Sequence, residues 1–110
     1  MPKRIPTRDA HRAIAQRQDF ETHGSLSGHT ADRQSYFSKG ILPRDRHAGL
    51  DAQAEQIDFI VYSYGTPIAW HLIGGEWIVP AVNYSATSGR HQSQVRYALS
   101  NLGQRPITSR

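Results

Sequence analysis

Apolar and polar positions alternate most regularly from Ile57 to Tyr64, where the run IDFIVYSY is rich in β-branched and aromatic residues. The alternation predicts a strand with Ile57, Phe59, Val61 and Ser63 on one face and Asp58, Ile60, Tyr62 and Tyr64 on the other. Gly65-Thr66-Pro67 predicts a bend, and Pro67 opens a second strand over residues 68–73 at the position where proline is tolerated. Gly74-Gly75 suits a two-residue primed turn. Glu76 to Val79 then reads as the returning strand, an edge or a bulged strand because Pro80 cannot donate to a ladder. Trp70 and Trp77 lie across the turn, and a cross-strand aromatic pair is the favoured reading over a base-stacking platform.

A helix follows. Thr87 or Ser88 is its expected cap, and Val95, Ala98, Leu99 and Leu102 recur at i, i+3, i+4 and i+7. Gly103 and Pro106 stop it. Projection at about 100° per residue places His91 and Gln92 with Val95 and Leu99, facing the sheet, and Arg90, Ser93, Gln94 and Tyr97 on the other side.

The first half is less regular. Pro2 and Pro6 keep the start extended, Thr7 is a candidate N-cap, and Ala10, Ala13, Ile14 and Phe20 make a thin apolar stripe. So few large apolar groups require the helix to dock, through Ile14 and Phe20. Glycine, serine and proline punctuate residues 21–56, which are expected to wrap the core with Tyr36, Phe37, Ile41 and Leu42 as pins. The predicted fold is therefore one small α+β domain over residues 1–110. A three-stranded antiparallel meander is packed by a C-terminal helix over 57–103. Residues 1–20 form a basic arm and helix, 21–56 the irregular wrapping segment, and 104–110 a tail.

A chain of 110 residues can bury one core. It has no cysteine, which excludes disulfides, a thiolate nucleophile and the common cysteine-containing zinc sites. No apolar run approaches the roughly 18 residues of a membrane span. No hydrophobic segment follows the basic start, so no secretory signal is read there, and a cytoplasmic location is expected. His11, His23, His29 and His47 lack a carboxylate pattern typical of a metal site, and no cofactor is expected. The net charge of +4 resides in the first half. Lys3, Arg4, Arg8 and Arg12 make a candidate nucleic-acid-binding arm by salt-dependent attraction to phosphates. A solvated helix face and tail is the plainer account of the same residues.

A histidine and a glutamine facing a sheet need partners, because an unsatisfied buried polar group costs about 1–3 kcal/mol. Thr66, Tyr62, Tyr64, Tyr84 and Ser85 are within reach of the helix start. They form either a structural network fixing the helix to the sheet or an anion or polar binding site. The candidate site comprises Thr66, Tyr84, Ser85, Thr87, Ser88, Arg90, His91 and Gln92. Catalysis by a metal-independent, ribonuclease-like arrangement of His91 with His71, Tyr84 and Arg90 is a third reading, without a diagnostic motif, and no catalytic residue is assigned.

The segments VYSYGTPIAW (Val61 to Trp70) and NYSATSGRHQ (Asn83 to Gln92) resemble the paired signatures, YSYxTPIAW and YSxTTxxHQ, of a family of small uncharacterised proteins of actinobacteria and their bacteriophages. Ser88 stands where that pattern often has a second threonine and keeps a hydroxyl. The stretches GSLSG and GILP are similar to the longer members. The resemblance implies a phage-type accessory protein and carries no established reaction. The expected function is accordingly a non-catalytic binding module with nucleic acid as partner. A host or phage protein, in host takeover or phage assembly, is the alternative partner. No membrane partner is expected, and the oligomeric state stays open.

Overall fold

The computed structural model describes residues 4–22, 25–30, 56–64, 66–80 and 86–103. Six strands form one sheet in chain order: β1 (Arg4–Ile5), β2 (Phe20–Thr22), β3 (Leu26–Thr30), β4 (Ile57–Ser63), β5 (Thr66–Leu72) and β6 (Trp77–Ile78). All neighbours pair antiparallel except β1 and β2, which run parallel. A parallel pair needs a crossover. A 3-10 turn (Thr7–Asp9) and helix α1 (Ala10–Gln16) supply it. Helix α2 spans Ala86–Asn101.

The class is α+β, but the sheet is larger than the predicted meander by three strands on its N-terminal side. Two of them occupy residues read as irregular or helical. Phe20 belongs to β2, not to the stripe of α1, because Arg17 enters the left-handed region (φ 53°) and ends the helix. Gly28 in β3 is covered by two phenyl rings: an added methyl would meet Phe59 Cζ at 2.8 Å and Phe20 Cδ1 at 2.9 Å. A strand built around a glycine, with Leu26 as its one large apolar residue, carries no alternating signal. The proposed pins Tyr36, Phe37, Ile41 and Leu42, and the tail 104–110, lie outside the described residues.

Both helices lie on one face of the sheet. Ala10 and Ile14 of α1, and Val95, Ala98 and Leu99 of α2, share a core with Phe20, Leu26, Phe59, Val61, Ala69 and Trp77. Burial of the larger of these side chains contributes about 1.5–3 kcal/mol each, and this docking holds a helix as short as α1. The helices are also tied to one another. Gln94 donates to the Thr7 carbonyl, and the His11 and Tyr97 rings meet edge-on at 5.4 Å. Leu102, predicted on the apolar face of α2, is exposed beyond its last turn.

Turn chemistry departs from expectation in two places, with consequences for which side chains meet. Thr66 pairs directly with Ser63, so β5 begins before Pro67, and Tyr64 beyond the end of β4 takes φ 52°. Beyond the Gly74-Gly75 turn, Leu72 N donates to Glu76 O, and His71, not Leu72, sits opposite Trp77. The loop holds three residues, and Gly75 takes φ 101°. One residue of slip exchanges the faces of a strand. Trp77 therefore joins the helix-side core, where Phe59 meets it edge-on at 6.1 Å. Trp70 aligns with Ile60 and Ile78, buried outside that core. The two tryptophans are not a cross-strand pair.

Candidate functional site

Helix α2 begins at Ala86, earlier than either proposed cap, so Thr87 and Ser88 fall inside its first turn and His91 in its second. His91 and Gln92 are buried against the sheet and Arg90 is exposed, in keeping with the helical projection. Among the described residues, their partners lie on β4, on β5 and at Pro80. Ser63 Oγ and His91 Nδ1 lie 2.7 Å apart. Gln92 Nε2 donates to the carbonyls of Ile68 (3.1 Å), at the register shift within β5, and of Pro80 (3.0 Å), just beyond β6. The register explains Ser63: it faces the helices with Val61 and Phe59, at the last residue of β4. Thr66, its cross-strand neighbour, is buried beside it. Tyr84 and Ser85 lie outside the described residues.

Burial pushes the His91 imidazole below its ordinary value, and the neighbouring Arg90 charge adds to the effect. The positive end of the helix contributes little here, because His91 sits beyond the first turn. A neutral ring fixed by a hydroxyl suits a structural role. The eight-residue candidate site thus divides: His91 and Gln92 are engaged inward, whereas Arg90 points to solvent.

A second polar cluster is not evident as a unit in the sequence. Asp58 has no cross-strand partner, because a bulge separates Ile57 and Phe59 in the β4 register, and its Oδ1 lies 2.6 Å from His71 Nδ1. The His71 side chain is 5% exposed and that of Asp58 38%. Trp77 meets His71 edge-on at 5.2 Å, and the buried Trp77 Nε1 has no hydrogen-bond partner among the described residues. Strict alternation sets Asp58 on the opposite face from Phe59, and only the bulge brings it to His71.

The arginines present a contrasting surface. Arg4 on β1, Arg8 in the 3-10 turn and Arg12 on α1 are all exposed, and among the described residues none is held in an ion pair. Lys3 lies outside the described residues. Arg12 also lines a cleft of about 310 Å3 between β1, α1 and the start of β2. Among the described residues, no group of three or more histidine and carboxylate side chains could hold a metal ion, and no helix is long and apolar enough to cross a membrane.

No curated protein and no solved structure shows significant similarity to the chain. A family model described only as a family of unknown function (DUF8033) matches residues 8–107, a span containing α1, α2 and five of the six strands. The chain belongs to that family.

Proposed function

We propose that the protein is a non-catalytic accessory module that binds nucleic acid through Arg4, Arg8 and Arg12, together with Lys3. The observation that carries this reading is the exposure of the three arginines, free of ion pairs among the described residues. Arginine presents a fork of donors matched to phosphate, and an exposed guanidinium without a carboxylate partner keeps that capacity. Arg90, exposed near the start of α2, supplies one further cation, with Thr87 and Ser88 in the adjoining turn. The phage-type setting rests on the two signatures around Val61 to Trp70 and Asn83 to Gln92. The inward engagement of His91 with Ser63 favours a structural role for that histidine over a catalytic one.

Replacing Lys3, Arg4, Arg8 and Arg12 by alanine is expected to weaken DNA or RNA binding uniformly across sequences. The slope of log affinity against log salt should flatten by about 0.9 for each duplex-DNA phosphate that is no longer neutralised. A wild-type protein without affinity for either polymer at low salt would sink the reading. A protein captured from an actinobacterial lysate both with and without nuclease would then identify the alternative host- or phage-protein partner.

A further inference from the structure

The cleft beneath Arg12 has a composition that the phosphate-binding arm does not use. Its apolar lining comes from Ile5, Ala13 and the buried ring of Phe20. Its polar groups are Arg12, Asp9, Asp19, Gln16 and Gln18. A volume of about 310 Å3 falls at the lower end of small-ligand clefts, which suits a single planar ring system. Asp9 occupies the N-cap position of α1, yet its side chain makes no capping bond. Among the described residues it also forms no ion pair with Arg12, although the two line the same cleft. Asp19 Oδ1 accepts from the Thr30 amide at 2.7 Å, which anchors that carboxylate while its other oxygen can accept from a ligand.

We infer that this cleft receives one unpaired guanine base from a single-stranded segment held by the arginine arm, an inference that rests on the nucleic-acid reading above. The chemistry follows from the donor and acceptor inventory. Aspartates are acceptor-only, and the Watson–Crick edge of guanine presents adjacent N1–H and N2–H donors that a carboxylate can take together. Thymine and uracil offer a single ring N–H there, flanked by carbonyls that two carboxylates repel. The Ile5 and Ala13 surfaces, backed by the buried Phe20 ring, supply apolar contact for the base plane, and the Gln16 and Gln18 amides can meet the guanine carbonyl. Arg12 at the rim neutralises the phosphate that would otherwise be repelled by Asp9 and Asp19. Only an unstacked base can enter, so duplexes are excluded from the cleft though not from the arm.

Fluorescence anisotropy with single-stranded oligothymidylate probes, carrying at one position guanine, hypoxanthine or an abasic site, tests the inference. One guanine is expected to raise affinity roughly tenfold over the abasic probe, with hypoxanthine intermediate because it lacks the N2 donor. Asp9→Asn should remove the gain without weakening the binding of plain oligothymidylate, since it takes a negative charge away from the arm. Ala13→Leu, which fills the cleft without touching charge, should do the same and guards against a folding defect in the first variant. Equal binding of the guanine and abasic probes by wild type would overturn the cleft and leave the arm standing. If no oligonucleotide binds at all, titration with guanosine 5′-monophosphate decides the cleft separately. Amide shifts at Ala13, Gln16 and Gln18 with this nucleotide but not with thymidine 5′-monophosphate support it, and their absence overturns it.

Discussion

The polar side chains under helix α2 and the arginines along β1 and α1 are treated in opposite ways. In the β4–β5–α2 half, polar side chains near the core are tied: His91 to Ser63, Gln92 to two carbonyls, and His71 to Asp58. In the β1–α1 half, Arg4, Arg8, Arg12 and Asp9 make no such ties among the described residues. A buried polar group needs a partner to avoid a desolvation penalty, so these hydrogen bonds account for His91, Gln92 and His71 without a ligand. No desolvation penalty accounts for the exposed arginines, and Arg12 shares a cleft with Asp9 without pairing to it. Under the proposed function, the residues richest in apparent chemistry are structural, and the plainer arginines are the functional candidates.

The largest expected effect falls where the two halves join. Gly28→Ala in β3 forces a methyl against Phe20 and Phe59, and overpacking should cost roughly 3 kcal/mol in thermal or urea unfolding. A loss below about 1 kcal/mol would show that the rings yield and that the close approach is not a constraint.

Gln92→Ala removes the donor from the Ile68 and Pro80 carbonyls and should cost about 2–3 kcal/mol. A near-neutral result would place Gln92 with the arginines, among residues retained for something other than stability.

His91→Ala should cost about 1–2 kcal/mol through the lost Ser63 bond and the small void left behind. The same residue predicts a pH dependence. Its folded value is lowered, so the unfolded chain binds a proton first as pH falls. Stability from this group is full above the ordinary imidazole value of 6.5 and is lost as pH falls below it, towards and through the lowered folded value. His91→Gln should flatten that part of the acid limb. A limb unchanged by the substitution would assign the acid sensitivity elsewhere.

The smallest stability effect is the sharpest test of the contrast. Changing Arg4, Arg8 and Arg12 together to alanine should shift stability by no more than about 0.5 kcal/mol per site, although nucleic-acid binding weakens. A large drop in unfolding midpoint would mean that the arginine stems pack as structure, and the comparison would fail.

Local pattern made the C-terminal half legible. Alternation in IDFIVYSY, glycine at the turn of residues 73–75, and the i, i+3, i+4 spacing in α2 each report a repeat or a break within a short stretch of chain. The inward placement of His91 and Gln92 followed from the same arithmetic. The N-terminal strands were not legible, because each is short and borrows its apolar cover from elsewhere: Gly28 is packed by Phe20 and Phe59, and β1 is two residues long. The cluster of His71 and Asp58 was hidden by a bulge, and the faces of Trp70 and Trp77 by one residue of turn length.

By itself, then, the sequence determined the α+β class, the strands around residues 57–72, the helix that ends at Asn101 and the face on which its polar residues lie. Periodicity is a property of consecutive residues, and the chain carries it wherever an element is long enough to repeat. Tertiary structure decided the rest: that six strands join one sheet, that Ser63 meets His91, and that Asp58 reaches His71. Those outcomes depend on register, and a one-residue change in a turn or bulge reverses every facing without altering the pattern that announces the strand.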